Sequence, residues 1–522
     1  MIREKIEQAV RGAVEDVPFV VERPRSLEHG DYSTNAALVG KLDPHEVAQK
    51  LHIDGVERIE VVGKFINFYL SRQVLIPQVQ NIPTVYGGKK ILAEYTDPNP
   101  FKEFHIGHLM SNAIGESISR LFAATGADVK RANYQGDVGV HVAKAIWAKL
   151  QKPEMTWGEA YVYGNNEYES HKEEIDSLNK VIYDKSDAKV NALYEVGRAQ
   201  SLAHFEEIYA KLGTKFDYYF FESEVGPIGL KLVQNHPEVF EQSEGAIVFK
   251  GEQVGLHTRV FINSKGLPTY EAKELGLVEA KVAKGNFDIS LTVTANEIKE
   301  YFKVVRAAAE KIFPDLSGKM QVRFHGFLKL TTGKMSSRLG NVITGESLIT
   351  DLAAAAKEKM EGRELKNPDE TATQIAVGAI KFAVLKQGSG KDIIFDPEKS
   401  LSLEGDSGPY LQYAHTRAVS LLRNAKEAGV DPGTQDAPEH AALLERVLVH
   451  YADAVERAAK AMEPHYVTTY LTELASTFNG WYAGERIIGG AHQHYGIYLA
   501  TAVEKILREG LTILGIPVPE EM

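Results

Sequence analysis

Apolar residues recur along this chain with two spacings, one of about 3.6 residues and one of 2, and their alternation marks out the elements. At the start, Ile2, Ile6, Ala9, Val10 and Ala13 fall on one helical face. A Gly/Asp/Ser turn region at "EHGDYSTN" precedes "IEVVGKFINFYL", whose β-branched and aromatic residues predict strands, so residues 1–86 read as an α+β module closed by the Pro/Gly boundary "NIPTVYGGKK". "KKILAEYT" (Lys89 to Thr96) then predicts a buried strand. In "IGHLMSNAIGESISRLFAATG", Leu109, Ala113, Ser117, Leu121 and Phe122 keep helical spacing up to Gly126, and "DVKRANYQGD" predicts the next strand. Strand, helix and strand make a βαβ unit, the start of a doubly wound, Rossmann-type parallel sheet.

Residues of about 150–215 are polar and rich in Tyr, Asn and Glu, which suits a helical insertion. Strand patterns resume at "GAIVFK", "LHTRVFIN" and "FDISLTVTA", and these are expected to complete the sheet. From 346 onward helical periodicity dominates. The predicted organisation is multidomain α/β: an N-terminal α+β domain (1–86), the doubly wound domain with its insertion (87–345), a helical connector (346–400) and an all-α C-terminal domain (401–522).

A length of 522 residues fits that division, since domains average about 150 residues. Hydrophobic content of 44% and charged content of 25% are those of a globular protein. No apolar run reaches the ~18 residues of a membrane span, and the amphipathic start is unlike a signal peptide, so a cytoplasmic location is expected. The absence of cysteine removes disulfides, thiol nucleophiles and cysteine-ligated zinc. A net charge of −12 gives no overall footprint for nucleic acid, although it leaves room for a local basic groove.

Chemistry concentrates in "DPNPFKEFHIGHLMSNAIG" (Asp97 to Gly115), where His105 and His108 flank Gly107 at the predicted strand-to-helix junction. As a metal pair the histidines lack further ligands at any known zinc spacing, and no structural zinc is expected. Anion binding fits better. The helix that follows a strand in a doubly wound sheet points free N–H groups at the crevice, the histidines can add ring donors to a phosphate, and Gly107 puts no side chain between the helix and a flat base. An isolated H-x-x-H would equally suit two ordinary polar residues.

It is not isolated. "HIGH" resembles the first signature of class I aminoacyl-tRNA synthetases, and "LTTGKMSSRLGN" (Leu330 to Asn341) resembles their second, with Lys334, Met335 and Ser336 matching. Ser337 stands where the signature has its second lysine, and Arg338 follows. Adenylate formation builds charge on the leaving pyrophosphate, and a lysine-bearing loop can stabilise it. Within class I the chain resembles the arginyl-tRNA synthetases nearly end to end, through "HGDYSTNAAL", "GKFINFYL", "GPYLQYAHTR", "FNGWY" and "LGIPVPEEM".

That resemblance implies an arginine–tRNA ligase that uses ATP with Mg2+, forms arginyl-adenylate and transfers arginine to the 3′ end of tRNA(Arg). It implies tRNA-binding roles for the N-terminal and helical domains, and activation that needs bound tRNA. His105, Gly107, His108, Lys334, Met335, Ser336 and Ser337 would hold ATP, with His105, His108 and Lys334 catalytic. The arginine pocket would use Glu94 and Asn99 before "HIGH" and a Tyr-x-x-x-Asp matched by Tyr270 and Glu274, with glutamate in place of aspartate. Carboxylates are the natural partners of a guanidinium, which they meet in planar, often bidentate geometry. Asp137 in "YQGDVG" resembles an acid near the active site, although a turn residue would look the same. From Leu401 to Met522 there are 16 acids against 9 Lys and Arg, so anticodon contact rests on stacking, for which Tyr410, Tyr413, Trp481 and Tyr482 are candidates.

Overall fold

The central strand of the molecule, Lys90–Glu94, is buried along its last four residues and sits in the middle of a five-stranded sheet. The computed structural model describes residues 2–14, 16–76, 82–331 and 344–522. The chain folds into two compact units. The first comprises Met1–Ile82, Ala414–Val455 and Tyr470–Arg508; the second comprises Pro83–Tyr413, Glu456–Thr469 and Glu509–Met522.

In the second unit the sheet order is Met320–His325, Ile289–Ala295, Lys90–Glu94, Asp128–Gln135, Tyr218–Phe221, and every pair is parallel. From Lys90–Glu94 the chain crosses through helix Ile106–Ala124 to Asp128–Gln135 on one side. From Ile289–Ala295 it crosses through helix Lys299–Ile312 to Met320–His325 on the other. The connections diverge between Lys90–Glu94 and Ile289–Ala295, which opens a crevice at the carboxyl ends of these strands. Helix Ile106–Ala124 lies close over the sheet because residue 115 is glycine: a Cβ there would come within 2.2 Å of Tyr95 Cγ. Beside it the Tyr95 hydroxyl bonds to Glu116, whose carboxylate also takes Arg120 Nε at 2.7 Å and Arg131 Nε at 3.3 Å.

The insertion is helical as expected, with helices Trp157–Asn166, Lys172–Asp184 and Ala188–Leu212. Two of the three later strand patterns depart from expectation. "GAIVFK" and "LHTRVFIN" form Ala246–Phe249 and Arg259–Ile262, which pair antiparallel with each other and, through Glu241–Ser243, make a separate sheet. Only a one-turn 3-10 segment, Gly251–Val254, joins the pair, whereas a parallel neighbour needs a crossover of roughly a dozen residues or more. The large sheet is completed instead by Ile289–Ala295 and by two strands that the residue pattern does not announce, Tyr218–Phe221 and Met320–His325. The connector also holds a strand, Ile393–Phe395, parallel to Leu328–Leu330.

In the first unit, a four-stranded antiparallel sheet (Val21–Glu22, Tyr32–Thr34, Phe65–Leu70, Val56–Val62) packs on helix Ile2–Val14 through Ile6, Val10, Ile66 and Phe68. The "HGDY" stretch binds this sheet to the helices of the same unit: Asp31 takes Arg446 Nε at 2.7 Å and the Leu70 N–H at 2.8 Å, and the Tyr32 hydroxyl donates to Asp453 at 2.5 Å. Gly30 has φ +91, and a Cβ there would lie 2.6 Å from Phe68 O. No described helix is long and apolar enough to cross a membrane.

Candidate active site

The crevice is entered through a contorted loop. Thr96, Asp97 and Phe101 all take positive φ (81°, 49° and 68°), a conformation that costs a non-glycine residue about 1–3 kcal/mol and persists where surrounding structure enforces it. Two hydrogen bonds do so here: Asp97 Oδ1 accepts from the Tyr134 N–H at 2.8 Å, and Asn99 Oδ1 from the Gly136 N–H at 3.0 Å. With its oxygen engaged, Asn99 presents its NH2 group to a ligand. Gly136 permits the approach, since a Cβ there would sit 2.6 Å from Asn99 Oδ1.

After the loop, His105 caps helix Ile106–Ala124 with extended backbone, and its N–H donates to His108 Nδ1 at 3.1 Å. That bond assigns the remaining ring proton of neutral His108 to Nε2, which makes Nε2 a donor. The two imidazoles stack with centroids 3.5 Å apart and planes at 21°. Gly107 leaves room for the His105 ring: a Cβ would lie 3.0 Å from His105 Cε1. Burial pushes His108 well below the ordinary histidine range, helped by His105 and by the Lys102 ammonium; desolvation, then Lys102, lowers the more open His105 as well. Both rings are therefore neutral donors at neutral pH. His141, whose Nε2 meets Gly136 O at 2.9 Å, is lowered to about 4 by desolvation and Lys102. The second sequence motif, Lys334 to Arg338, lies outside the described residues. Thr344, which follows that stretch, pairs with His105, and the Gly345 N–H donates to Phe104 O at 2.6 Å.

Acids gather on the other side of the loop. Glu94, at the end of the central strand, is 2% exposed and pairs with Lys281 at 2.8 Å. Glu274, on helix Tyr270–Val282, is raised to about 8, first by desolvation and then by the Glu94 charge, with Glu222 and Glu271 adding to it. Asp97 is raised by desolvation, Glu94 and Glu274. Glu222, held by Lys273 at 2.9 Å, is raised by burial and by Asp137. Carboxyls raised in this way hold protons that an incoming cation can replace. Among the described residues, no group of His, Asp and Glu has the arrangement of a metal site.

The structure thus brings Glu94, Asn99, His105, Gly107, His108 and Glu274 to one crevice. Tyr270 stands apart, 69% exposed at the helix start, with its ring centroid 5.2 Å from Lys273 Nζ. Asp137 is fully buried and occupied: it accepts from the Tyr194 hydroxyl (3.1 Å), Arg198 Nε (3.0 Å), and the Ser223 N–H (2.9 Å) and hydroxyl (2.7 Å). It fastens the insertion to helix Glu222–Asn235. The four candidate stacking aromatics divide between the units. Tyr410 and Tyr413 are half-buried in the second; in the first, Trp481 is half-buried and Tyr482 lies 37% exposed under the Arg417 guanidinium at 5.2 Å. Sequence reasoning missed Asp97, Lys102, Glu222 and Lys281. The first two lie inside the stretch it quoted, while the others carry no signal in chain spacing.

A cavity of about 270 Å³ lies at the opposite, amino-terminal ends of the strands, lined by Val278, Lys281, Phe287, Ser290, Phe313 and Met320; of the residues described above only Lys281 borders it.

Known proteins resemble this chain along its whole length. Residues 71–397 match the family described as tRNA synthetases class I (R), catalytic domain; residues 1–70 match the arginyl tRNA synthetase N terminal domain, and 411–522 the DALR anticodon binding domain. The arginine–tRNA ligase of Lactobacillus delbrueckii subsp. bulgaricus is 29% identical, with 98% of this chain and 97% of the relative covered. That of Clostridium perfringens is 28% identical, covering 100% and 99%. The Thermus thermophilus arginyl-tRNA synthetase structure matches with a TM-score of 0.84 at 25% identity over 100% of both chains. The Plasmodium falciparum arginyl-tRNA synthetase, at 19% identity and a TM-score of 0.83, covers 100% of this chain and 98% of its own and shares the fold.

Proposed function

The chain belongs to the class I arginyl-tRNA synthetase family, an ATP-dependent arginine–tRNA ligase, and from that premise we propose how its crevice divides the reaction. Mg-ATP lies with its phosphates at the start of helix Ile106–Ala124, where backbone N–H groups and the His105 and His108 rings stabilise the charge that builds during transfer. Glu94, Asp97, Asn99 and Glu274 seat arginine, with Tyr270 at the rim. The arginine carboxylate oxygen attacks the α-phosphorus, the bond to the β-phosphate oxygen breaks, and pyrophosphate leaves. Lys334 is the cation we assign to the pyrophosphate, on the strength of its motif. A terminal ribose hydroxyl of tRNA then attacks the arginyl carbonyl, its proton is lost, and AMP departs, so no covalent enzyme intermediate forms.

One observation carries this assignment: neutral, desolvated histidines and mutually repelling carboxylates stand on opposite sides of one strained loop, the first set suited to an anion and the second to a cation. We further propose that activation requires bound tRNA, that Tyr410, Tyr413, Trp481 and Tyr482 stack on its bases, that Asp137 positions the insertion, and that the chain works in the cytoplasm. The four sequence domains, 1–86, 87–345, 346–400 and 401–522, are our proposed division of these tasks. Exchange of labelled pyrophosphate into ATP, run against a panel of amino acids with and without tRNA, tests the reading. Exchange with arginine alone, only when tRNA is present, is expected; exchange with another amino acid and not arginine would overturn it.

A further inference from the structure

Helix Tyr270–Val282 delivers more than Glu274. Seven residues on, two turns along the same face, Lys281 reaches the end of the central strand, where Nζ lies 2.8 Å from Glu94 Oε2 with the two side chains 9% and 3% exposed. A buried ion pair is weak evidence for stability, because the desolvation of two charges offsets most of their attraction. The position of this one inside the acid cluster calls for another explanation.

Resting on the reading of the cluster as the seat of arginine, we infer that Lys281 is a positioning residue for that substrate, an internal counter-ion that fixes Glu94 and sets how much negative charge the pocket presents to a guanidinium. The Lys281 ammonium lowers both Asp97 and Glu274, against the upward push that Glu94 gives each of them. The other charged groups facing the cluster are already engaged. Glu222 is held by Lys273 at 2.9 Å, Glu271 by Arg259 at 3.3 Å, and Asp137 by Arg198 at 3.0 Å. Tyr134, Tyr301 and Tyr209 face it from three further elements; burial raises all three above their usual range, so they stay protonated. With Lys281 removed, Asp97 and Glu274 keep their protons to higher pH, and an incoming guanidinium displaces them at greater cost. Arginine binding then weakens near neutrality and recovers as the pH rises.

The test is KM for arginine in the tRNA-supported pyrophosphate exchange, from pH 6.5 to 8.5, for Lys281→Met, Lys281→Arg and Glu94→Gln. We expect Lys281→Met to raise KM about tenfold at pH 7, the equivalent of roughly one unit of pKa, and most of that gap to close by pH 8.5. Its kcat and KM for ATP should stay within about twofold, and Lys281→Arg should keep the wild-type profile, because it keeps the charge. A KM deficit equal at every pH, a loss confined to kcat, or a Lys281→Arg profile like that of Lys281→Met would overturn the inference. If Lys281→Met does not fold, the double variant Glu94→Gln/Lys281→Met removes the pair together, and its KM should differ from wild type by a constant factor across the pH range; an offset that varies with pH contradicts the proposal. Glu94→Gln separates the two levels. An unchanged KM for arginine there defeats the arginine pocket itself, whereas a raised KM beside a pH-independent Lys281→Met deficit leaves the pocket standing and removes only the role of Lys281.

Discussion

The two sides of the loop from Tyr95 to Phe104 differ in charge, one presenting neutral donors and the other carboxylates. At the helix start, burial lowers His108 and His105 toward neutrality, and the bond from the His105 N–H to Nδ1 leaves His108 Nε2 a donor. At the end of the central strand the Glu94 charge raises both Asp97 and Glu274, and Glu274 adds to Asp97, with Lys281 as a partial remedy. The phosphates of ATP bring their own charge, so the protein needs only oriented donors and a helix end to receive them. A guanidinium brings a positive charge that water solvates well, and a site can compete for it only by holding excess negative charge out of solvent. On the proposed reading, the contrast sets chemistry shared by a whole class beside recognition peculiar to one amino acid, on the two sides of one loop.

Four predictions separate the two sides. The largest effect is expected from His108→Ala, which removes a preorganised donor from the phosphate side: kcat should fall on the order of a hundredfold, about 3 kcal/mol, with KM for arginine little changed, as read in steady-state aminoacylation. Glu274→Gln acts on the other side. It removes a charge-assisted contact worth about 2 kcal/mol, so KM for arginine should rise tenfold or more while KM for ATP holds. Asp137→Asn is the control, a buried acid with a full set of donors: it should lower the melting temperature, through a loss of about 2 kcal/mol, and leave KM for arginine near wild type. The smallest effect is in the wild type itself. A carboxyl raised to about 8 is mostly protonated at pH 7 and ionised above 8, and a cation favours the ionised form, so KM for arginine should fall by up to about tenfold as the pH rises from 6.5 to 8.5.

The strand, glycine and helix start of the side proposed for phosphate were legible as local patterns, while the roles of its histidines rested on the resemblance of "HIGH". Glu94, Asn99 and Glu274 were legible through their place in resembling motifs. Asp97 stood in plain view beside Asn99, yet its importance depends on a left-handed backbone and on charges brought from elsewhere in the chain. Lys281 and Glu222 reach the site by packing of helices far from "HIGH", and no spacing announces them. The strands Ala246–Phe249 and Arg259–Ile262 were recognised as strands and assigned to the wrong sheet, since alternation reports burial of one face and is silent about the partner. Tyr270 shows the reverse limit: it matches its motif position, and its side chain is 69% exposed.

The claim beneath all of this is that the guanidinium supplies the positive charge this cluster lacks. Calorimetric titration of arginine in buffers of different ionisation enthalpy, at pH 7 to 8 with tRNA present, measures the protons exchanged on binding. Release of protons by the wild type, lost in Glu274→Gln, is the expected result; binding with no proton release, or release unchanged in Glu274→Gln, would contradict the account.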